Sequence, residues 1–423
     1  MTDCSREALL RRLFETAVAA ADPMKCVPAF LPEWADGRMV VIGAGKASAR
    51  MAEAVESVRG ASEGGVITRD GYARPCRGIE IVEASHPVPD ARGLEASQRL
   101  LDLLSSLEEA DHVIALISGG ASALLEVPAG DISLADLQTL NETLLASGAP
   151  ITDMNTVRKH VSLVKGGQLA AAAYPARMTA LIISDVAGDD PAFIASGPTV
   201  GDRTTPADAR AVIERYGMTV PASVLAVLDG ASGVLPPEDG KLSRVENRII
   251  AAPSLSLEAA ARLATDEGVE VEVLGDAIEG EAREVAAQQA MLALKRQQEM
   301  KSGDQPILLL SGGECTVTRR GAGCGGPNAE YALALAIALQ GAEGIYGIAC
   351  DTDGVDGAAD VAGAVVGPGT LERAKMLGLD PCVTLDDNDS HSFFAALGDQ
   401  VVPGPTLTNV NDFRAILIES PST

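Results

Sequence analysis

At 423 residues with a formal net charge of −26, the chain is too long for one ordinary domain and too acidic to seek nucleic acid or an anionic membrane. Apolar residues make up 47% of it and aromatic ones only 3%, which provides a large core of small aliphatic side chains suited to helix–sheet packing. No apolar run reaches the roughly 18 residues of a spanning helix, and seven cysteines without CxxC spacing read as free thiols in a reducing cytoplasm.

Residues 5–35 read as helical, interrupted at Pro23 and Pro28, and the acids among the bases of MTDCSREALLRRLFETAVAA mark an amphipathic helix rather than a signal peptide. From Met39 short apolar runs alternate with helical stretches, the mark of a parallel sheet covered on both faces. The strand Met39–Ile42 runs into Gly43-Ala44-Gly45 and then into an Ala-rich helix from Lys46. Strand, glycine turn and helix point backbone amides and a positive dipole end at an anion, with Lys46 as a cation at the helix mouth. A Walker A loop would need Gly at Val40, and a dinucleotide fingerprint a third Gly at Ser48, so neither motif is met.

Val66–Thr68 and Ile79–Glu83 read as strands, SHPVPD as a rigid loop, and Ala91–Leu107 as a helix. Val113–Ile117 is a buried strand that ends in Ser118-Gly119-Gly120-Ala121-Ser122. Leu134–Ser147 and Asn155–Ala173 read as helices; in the second, Arg158 and Lys165 are seven apart and share a face, with Gly166-Gly167 after them. In so acidic a chain such a basic face suits a carboxylate or a phosphate. Thr179–Ile183 is a strand ending in SDVAGDD, whose Asp185, Asp189 and Asp190 crowd one loop as a magnesium site requires.

The composition changes at Gly230–Lys241, the best domain boundary. Arg248–Ala252, Glu270–Leu274, Ile307–Leu310, Ile345–Ala349 and Ala415–Ile418 read as strands, and Gly280–Met300 as a long helix. Ile307–Leu310 ends in Ser311-Gly312-Gly313-Glu314, and Ile345–Ala349 meets Asp351, Asp353 and Asp356 in DTDGVDG. That spacing approaches a calcium loop but lacks its glutamate, since the twelfth residue is Ala362. Five polar clusters therefore stand at strand ends, the edge where ligands bind in open α/β sheets. His86 and His391 are weaker candidates, and no serine sits in G-x-S-x-G.

Taken together, VIGAGKASARMA, SHPVPD, LISGGASALLEVP, MNTVRKHVSLVKGGQLA, ISDVAGDDPAFIASGPT, LLSGGECTV, GGPNAEYALALA, DTDGVDG and NVNDFR resemble the glycerate 2-kinase family, from Val41 to Arg414. The resemblance implies two unlike α/β domains, an N-terminal kinase domain over 1–240 and a C-terminal MOFRL-type domain over 241–423, each a mainly parallel sheet flanked by helices, with the active site in the interdomain cleft. It implies ATP- and Mg²⁺-dependent phosphorylation of D-glycerate at its 2-hydroxyl by a cytoplasmic enzyme, with a homodimer as a further expectation. Lys46 falls on the family's proposed catalytic lysine, and Asp189 joins it as catalytic. Asp189 and Asp190 would hold Mg²⁺, and Ser118, Gly119, Gly120, Ser122, Arg158 and Lys165 the substrate. Gly43, Gly45, Gly312, Gly313, Glu314, Asn328, Asp351, Asp353 and Asp356 would bind the nucleotide. Cys324 and Gln168 depart from the family's basic residues, and Pro327 from its commoner one, so no catalytic arginine carries over to the glycine-rich loop. The other readings are an NAD(P)H-dependent hydroxypyruvate reductase, which Ser48 disfavours, and a non-catalytic sugar-acid-binding protein.

Overall fold

The computed structural model describes residues 3–33, 37–186, 188–357 and 359–421. The chain opens with helices α1 (Asp3–Ala20) and α2 (Pro23–Phe30), which break apart where Pro23 takes a first-turn place. Then come β1 (Met39–Ala44), α3 (Ser48–Arg59), β2 (Glu63–Arg69), β3 (Ile79–Ala84), α4 (Ala91–Leu104), β4 (His112–Ile117) and α5 (Ala121–Leu124). They are followed by α6 (Leu134–Ala146), α7 (Ile151–His160), α8 (Gln168–Ala173), β5 (Arg177–Ile183), α9 (Pro206–Arg215), α10 (Ala222–Leu228) and β6 (Val245–Ala251).

The strands of this part form one sheet in the order β3-β2-β1-β4-β5-β6. The pairs β1–β2, β1–β4, β2–β3 and β4–β5 are parallel, as the alternation of strand and helix predicts. The chain leaves β1 in one direction to β3 and returns on the other side as β4, which makes the carboxyl ends of β1 and β4 a topological switch point. Val40, Ile42, Val113, Ala115 and Ile182 bury one face of the sheet against Ala96, Leu100 and Leu169 of the helices. A separate cluster from α6, α7, α9 and α10, including Leu140, Val157, Val212 and Val224, stiffens the region around α7.

The second part holds α11 (Pro253–Asp266), β7 (Glu270–Gly275), β8 (Gly280–Glu281), α12 (Ala282–Glu299), β9 (Ile307–Gly313), β10 (Cys315–Thr316) and α13 (Pro327–Leu339). It ends with β11 (Ile345–Asp351), β12 (Gly363–Val366), α14 (Thr370–Met376), α15 (Pro381–Asp386), α16 (Ser390–Leu397), β13 (Gln400–Val401) and β14 (Asp412–Ile418). Its sheet runs β13-β12-β11-β14-β9-β7. Leu308 and Leu310 face a core with α1 and α11, whereas Leu309 faces α12 and α13, the period of two expected of a strand covered on both sides.

Three expectations are revised here. The second sheet is not mainly parallel: of its pairings only β7–β9 is parallel, and β9–β14, β14–β11, β11–β12 and β12–β13 are antiparallel. One cause is that β12 follows β11 with no helix between them, so the crossover that parallel pairing needs is missing at that step. The units divide as Pro23–Ile250 on one side and α1 with the chain from Ala251 on the other, rather than at 240. Composition marks the polar stretch before β6, yet β6 belongs to the first sheet, and the apolar stripe Leu9, Leu13, Phe14 of α1 is buried in the second unit. Finally, the helix read over Asn155–Ala173 is two, α7 and α8, because Gly166 (φ +58°) and Gly167 (φ +81°) are left-handed and Ser162 pairs in a strand-like bridge with Pro128. No helix among the described residues is long and apolar enough to cross a membrane.

Candidate active site

Within the parallel-sheet unit, the turns after β1 and β4 lie at the switch point and are locked to each other. The Lys46 amide donates to the Gly119 carbonyl (2.9 Å) and the Ser118 amide to the Ala44 carbonyl (3.2 Å). The Ala47 amide donates to Ser118 Oγ (3.0 Å), and Ser48 Oγ donates to the Leu116 carbonyl (2.9 Å) and meets Ser118 Oγ at 3.2 Å. Thr68 Oγ1 closes the turn from the β2 side by donating to the Gly45 carbonyl. The two glycines have a local cause: a Cβ on Gly43 would stand 2.4 Å from the Leu116 carbonyl oxygen, and one on Gly45 2.2 Å from Ser118 Oγ. Gly43 and Gly45, expected on the nucleotide, thus also let the neighbouring strand end approach the backbone closely. Ser118 likewise serves the turn, its hydroxyl spent on Ala47 and Ser48.

Gly120 differs. It takes φ +81° as it opens α5, and a Cβ there would lie 3.0 Å from His86 Nε2 and 3.3 Å from Lys46 Cγ. A bare backbone position thus has a lysine and an imidazole packed across it, both half-buried. His86, a weaker candidate by sequence, is signalled there by the rigid SHPVPD loop directly after β3.

Ser122 carries the site onward. Its hydroxyl meets Ser196 Oγ at 3.0 Å, Ser196 Oγ donates to Asn155 Oδ1 (3.0 Å), and Asn155 Nδ2 donates to the Phe193 carbonyl (3.2 Å). Asn155 and Ser196 were not foreseen, and only the polar content of IASGPT hinted at the latter. Among the described residues, the segment between β5 and α9 holds three non-glycine residues in left-handed backbone, Asp189 (φ +54°), Ala195 (φ +55°) and Ser196 (φ +60°). Such strain costs of order 1–3 kcal/mol per residue and collects at functional sites. The buried Oδ1 of Asp189 accepts no hydrogen bond, whereas Asp190 Oδ1 accepts from the Ala192 amide (2.9 Å).

The two candidate cations separate. Arg158 lies on α7, half-buried, with Nη2 donating to Asn141 Oδ1 (3.2 Å), and burial holds it below the usual guanidinium range against the field of Glu126. Lys165 does not share its face: it falls in the loop between α7 and α8, fully buried, with Nζ bound to the Glu126 carboxylate and to the Leu125 carbonyl (3.0 Å). The expectation that Lys165 reaches the substrate is therefore corrected, since its charge is already taken up. Gln168, in place of a basic residue, is also internal, donating to the Ser162 and Lys165 carbonyls.

The mixed-sheet unit gathers the other candidates around the start of α13. The Asp356 carboxylate, fully buried, accepts from the Asn328 amide (2.9 Å) and the Ala329 amide (2.8 Å), while His391 Nε2 lies 3.3 Å from its Oδ2. Burial pulls the His391 imidazole down and the Asp356 bond pulls it up, leaving it raised. Asn328 Nδ2 donates to Asp412 Oδ1 (2.6 Å), Asp412 pairs with Arg414, and Arg414 Nη1 donates to the Gly312 carbonyl (3.3 Å). Asp351 Oδ1 accepts from the Asp353 amide and Asp353 Oδ1 from the Val355 amide, each at 2.8 Å. Asp356 and Asn328, expected on the nucleotide, are thus committed to capping α13 and tying it to β14; a Cβ on Gly313 would stand 2.3 Å from the Ile278 backbone. Glu314 is exposed beside them. Among the described residues no group of three or more His, Cys, Asp or Glu is arranged to hold a metal by itself.

Residues 9–229 match a family model described as a domain of unknown function, DUF4147, and residues 307–412 match the MOFRL family. The chain is 38% identical to the D-glycerate 2-kinase of Thermotoga maritima over 98% of its length and 99% of that protein. It is 37% identical to the glycerate 2-kinase of Pyrococcus horikoshii, over 97% and 96%. A protein of Agrobacterium vitis that carries the provisional name hydroxypyruvate reductase is 52% identical over 98% of this chain and 95% of its own. The crystal structure of the Thermotoga maritima glycerate kinase superposes with a TM-score of 0.89, covering 98% of this chain and 100% of that one.

Proposed function

Because the chain belongs to the glycerate 2-kinase family, we propose that it transfers the terminal phosphoryl group of ATP to the 2-hydroxyl of D-glycerate, releasing 2-phosphoglycerate and ADP. The observation that carries the reading is Gly120, bare between the Lys46 and His86 side chains at the switch point of the sheet. Phosphoryl transfer asks the protein for charge neutralisation and alignment rather than covalent chemistry. Lys46 supplies the positive charge for the moving phosphoryl group, and the αL turn at Gly120 lets the group approach the backbone closely. The substrate hydroxyls hydrogen-bond to Ser122, whose orientation is set by Ser196 and Asn155. The carboxylate of the substrate pairs with Arg158, whose planar fork has donors to spare after its bond to Asn141.

Magnesium fits this set. The unpartnered buried oxygen of Asp189 and the neighbouring Asp190 form the one-or-two-carboxylate arrangement that Mg²⁺ uses when phosphate oxygens and water complete its shell. When bound, the ion would offset phosphate charge. The nucleotide is left to the exposed Glu314 and the half-buried Asp351 of the expected set, and the enzyme is taken as cytoplasmic.

The reductase reading has a weaker basis. The third glycine of a dinucleotide turn is replaced by Ser48, buried and hydrogen-bonded to Leu116 and Ser118. The deciding experiment supplies ATP, Mg²⁺ and D-glycerate and passes the product to enolase without a mutase. A signal identifies 2-phosphoglycerate; a signal only when mutase is added rejects the 2-position. Hydroxypyruvate and NADPH form the parallel arm, where enzyme-like turnover would reject the kinase.

A further inference from the structure

Below the SGGAS turn lie three charged side chains that do not cancel. Lys165 is fully buried, Glu126 is 3% exposed, and Arg158 is half-buried, which leaves two cations to one carboxylate. Glu126 follows α5 directly, so it hangs from the element that carries Ser122. Arg158 is one turn along α7 from Asn155, the residue that orients Ser196 and through it Ser122. Lys165 leads into Gly166 and Gly167, whose amides donate to the Ser196 and Gly197 carbonyls. The trio thus ties together the three segments that meet at the hydroxyl chain.

Within the trio Glu126 spends one oxygen and keeps the other. Its Oε2 holds Lys165, while its buried Oε1 accepts nothing. Its field reaches Arg158 as well as Lys165, and burial presses on both cations. A planar guanidinium is the better partner for a carboxylate with an oxygen to spare, because it can bind both oxygens at once. In the resting protein Lys165 holds Oε2 and the Arg158 guanidinium bonds Asn141.

We infer that Lys165 is a positioning residue: by occupying Glu126 it keeps the Arg158 guanidinium available to the carboxylate of the substrate. The excess positive charge is then held for the substrate, since a buried cation without a counter-ion is costly until an anion arrives. The inference rests on the reading of Arg158 given above.

The test compares Lys165→Met, Glu126→Gln, the double variant and Arg158→Met in the full chain, by steady-state kinetics with ATP, Mg²⁺ and varied D-glycerate. Lys165→Met frees Glu126 to seize Arg158, so KM for glycerate should rise by about tenfold or more, the value of one charged hydrogen bond, with kcat little changed. Glu126→Gln removes the competitor, and KM should stay near that of the parent. The double variant should restore KM, and it should fold, because exchanging a whole buried pair is often neutral. An ordinary structural ion pair predicts similar damage from either partner and no recovery. Unchanged KM in Arg158→Met would reject the carboxylate role itself. A raised KM there, with Lys165→Met and Glu126→Gln alike or the double variant unrecovered, overturns the Lys165 inference alone. If Lys165→Met fails to fold, Glu126→Gln decides: KM near the parent value upholds the inference, and a tenfold rise overturns it.

Discussion

The GAGK–SGGAS region of the parallel sheet and the DTDGVDG region of the mixed sheet read alike in sequence: glycines and polar groups at strand ends. Folded, they divide. In the first, backbone and serine hydroxyls satisfy the turns among themselves, which leaves Lys46 and His86 packed across a bare glycine. In the second, Asp356 is consumed by the amides of α13 and by His391, and Asn328 by Asp412. The lesson is that a polar cluster at a strand end can be used up in serving the backbone, as Asp356 and Asn328 are.

Four substitutions test that division. Asp356→Ala, which strips a buried cap and leaves the Asn328 and Ala329 amides without an acceptor, should cost about 3–5 kcal/mol. Denaturant unfolding measures it, and a loss under 1 kcal/mol would return Asp356 to the candidates for ligand binding. Lys46→Ala should lower kcat by about 10²-fold, roughly 2.7 kcal/mol, with little change in thermal midpoint. Near-normal turnover would remove the contrast between the two regions. Gly120→Ala forces a Cβ into left-handed backbone against His86, and should cost roughly 1–2 kcal/mol of stability together with activity. Full activity in that variant would show that the bare position is not used.

The smallest effect concerns pH. The His391 imidazole is raised by Asp356, so the folded state binds its proton more tightly than the unfolded chain does. That contribution is complete below the unfolded value of about 6.5 and is lost as pH rises through the higher folded value. Stability curves for the parent chain and His391→Asn should therefore converge above neutrality and separate below it. Parallel curves across that range would assign the bond no role in the mixed-sheet unit.

Much of the frame was legible in the sequence because it depends on local pattern. β1, β3, β4 and β5 stand close to the apolar runs that mark them, and Pro23 separates the first two helices. β12 and β13 escaped notice: four and two residues long, Gly363–Val366 and Gln400–Val401 carry too little periodicity to announce a strand. The break at Gly166-Gly167 is hidden for a related reason, since helical spacing continues across two glycines whose left-handed backbone only the fold reveals.

The sequence by itself determined the α/β class, the strand-end clusters and the lysine among them. These follow from hydrophobic period and glycine placement over a few residues. Only the tertiary structure decided which buried groups pair with one another. Glu126 is 39 residues from Lys165, and Asp356 28 from Asn328, and no local pattern encodes either pairing. A buried carboxylate takes the donor that the fold brings to it, because an unpaired charge in the interior costs more than any local preference returns.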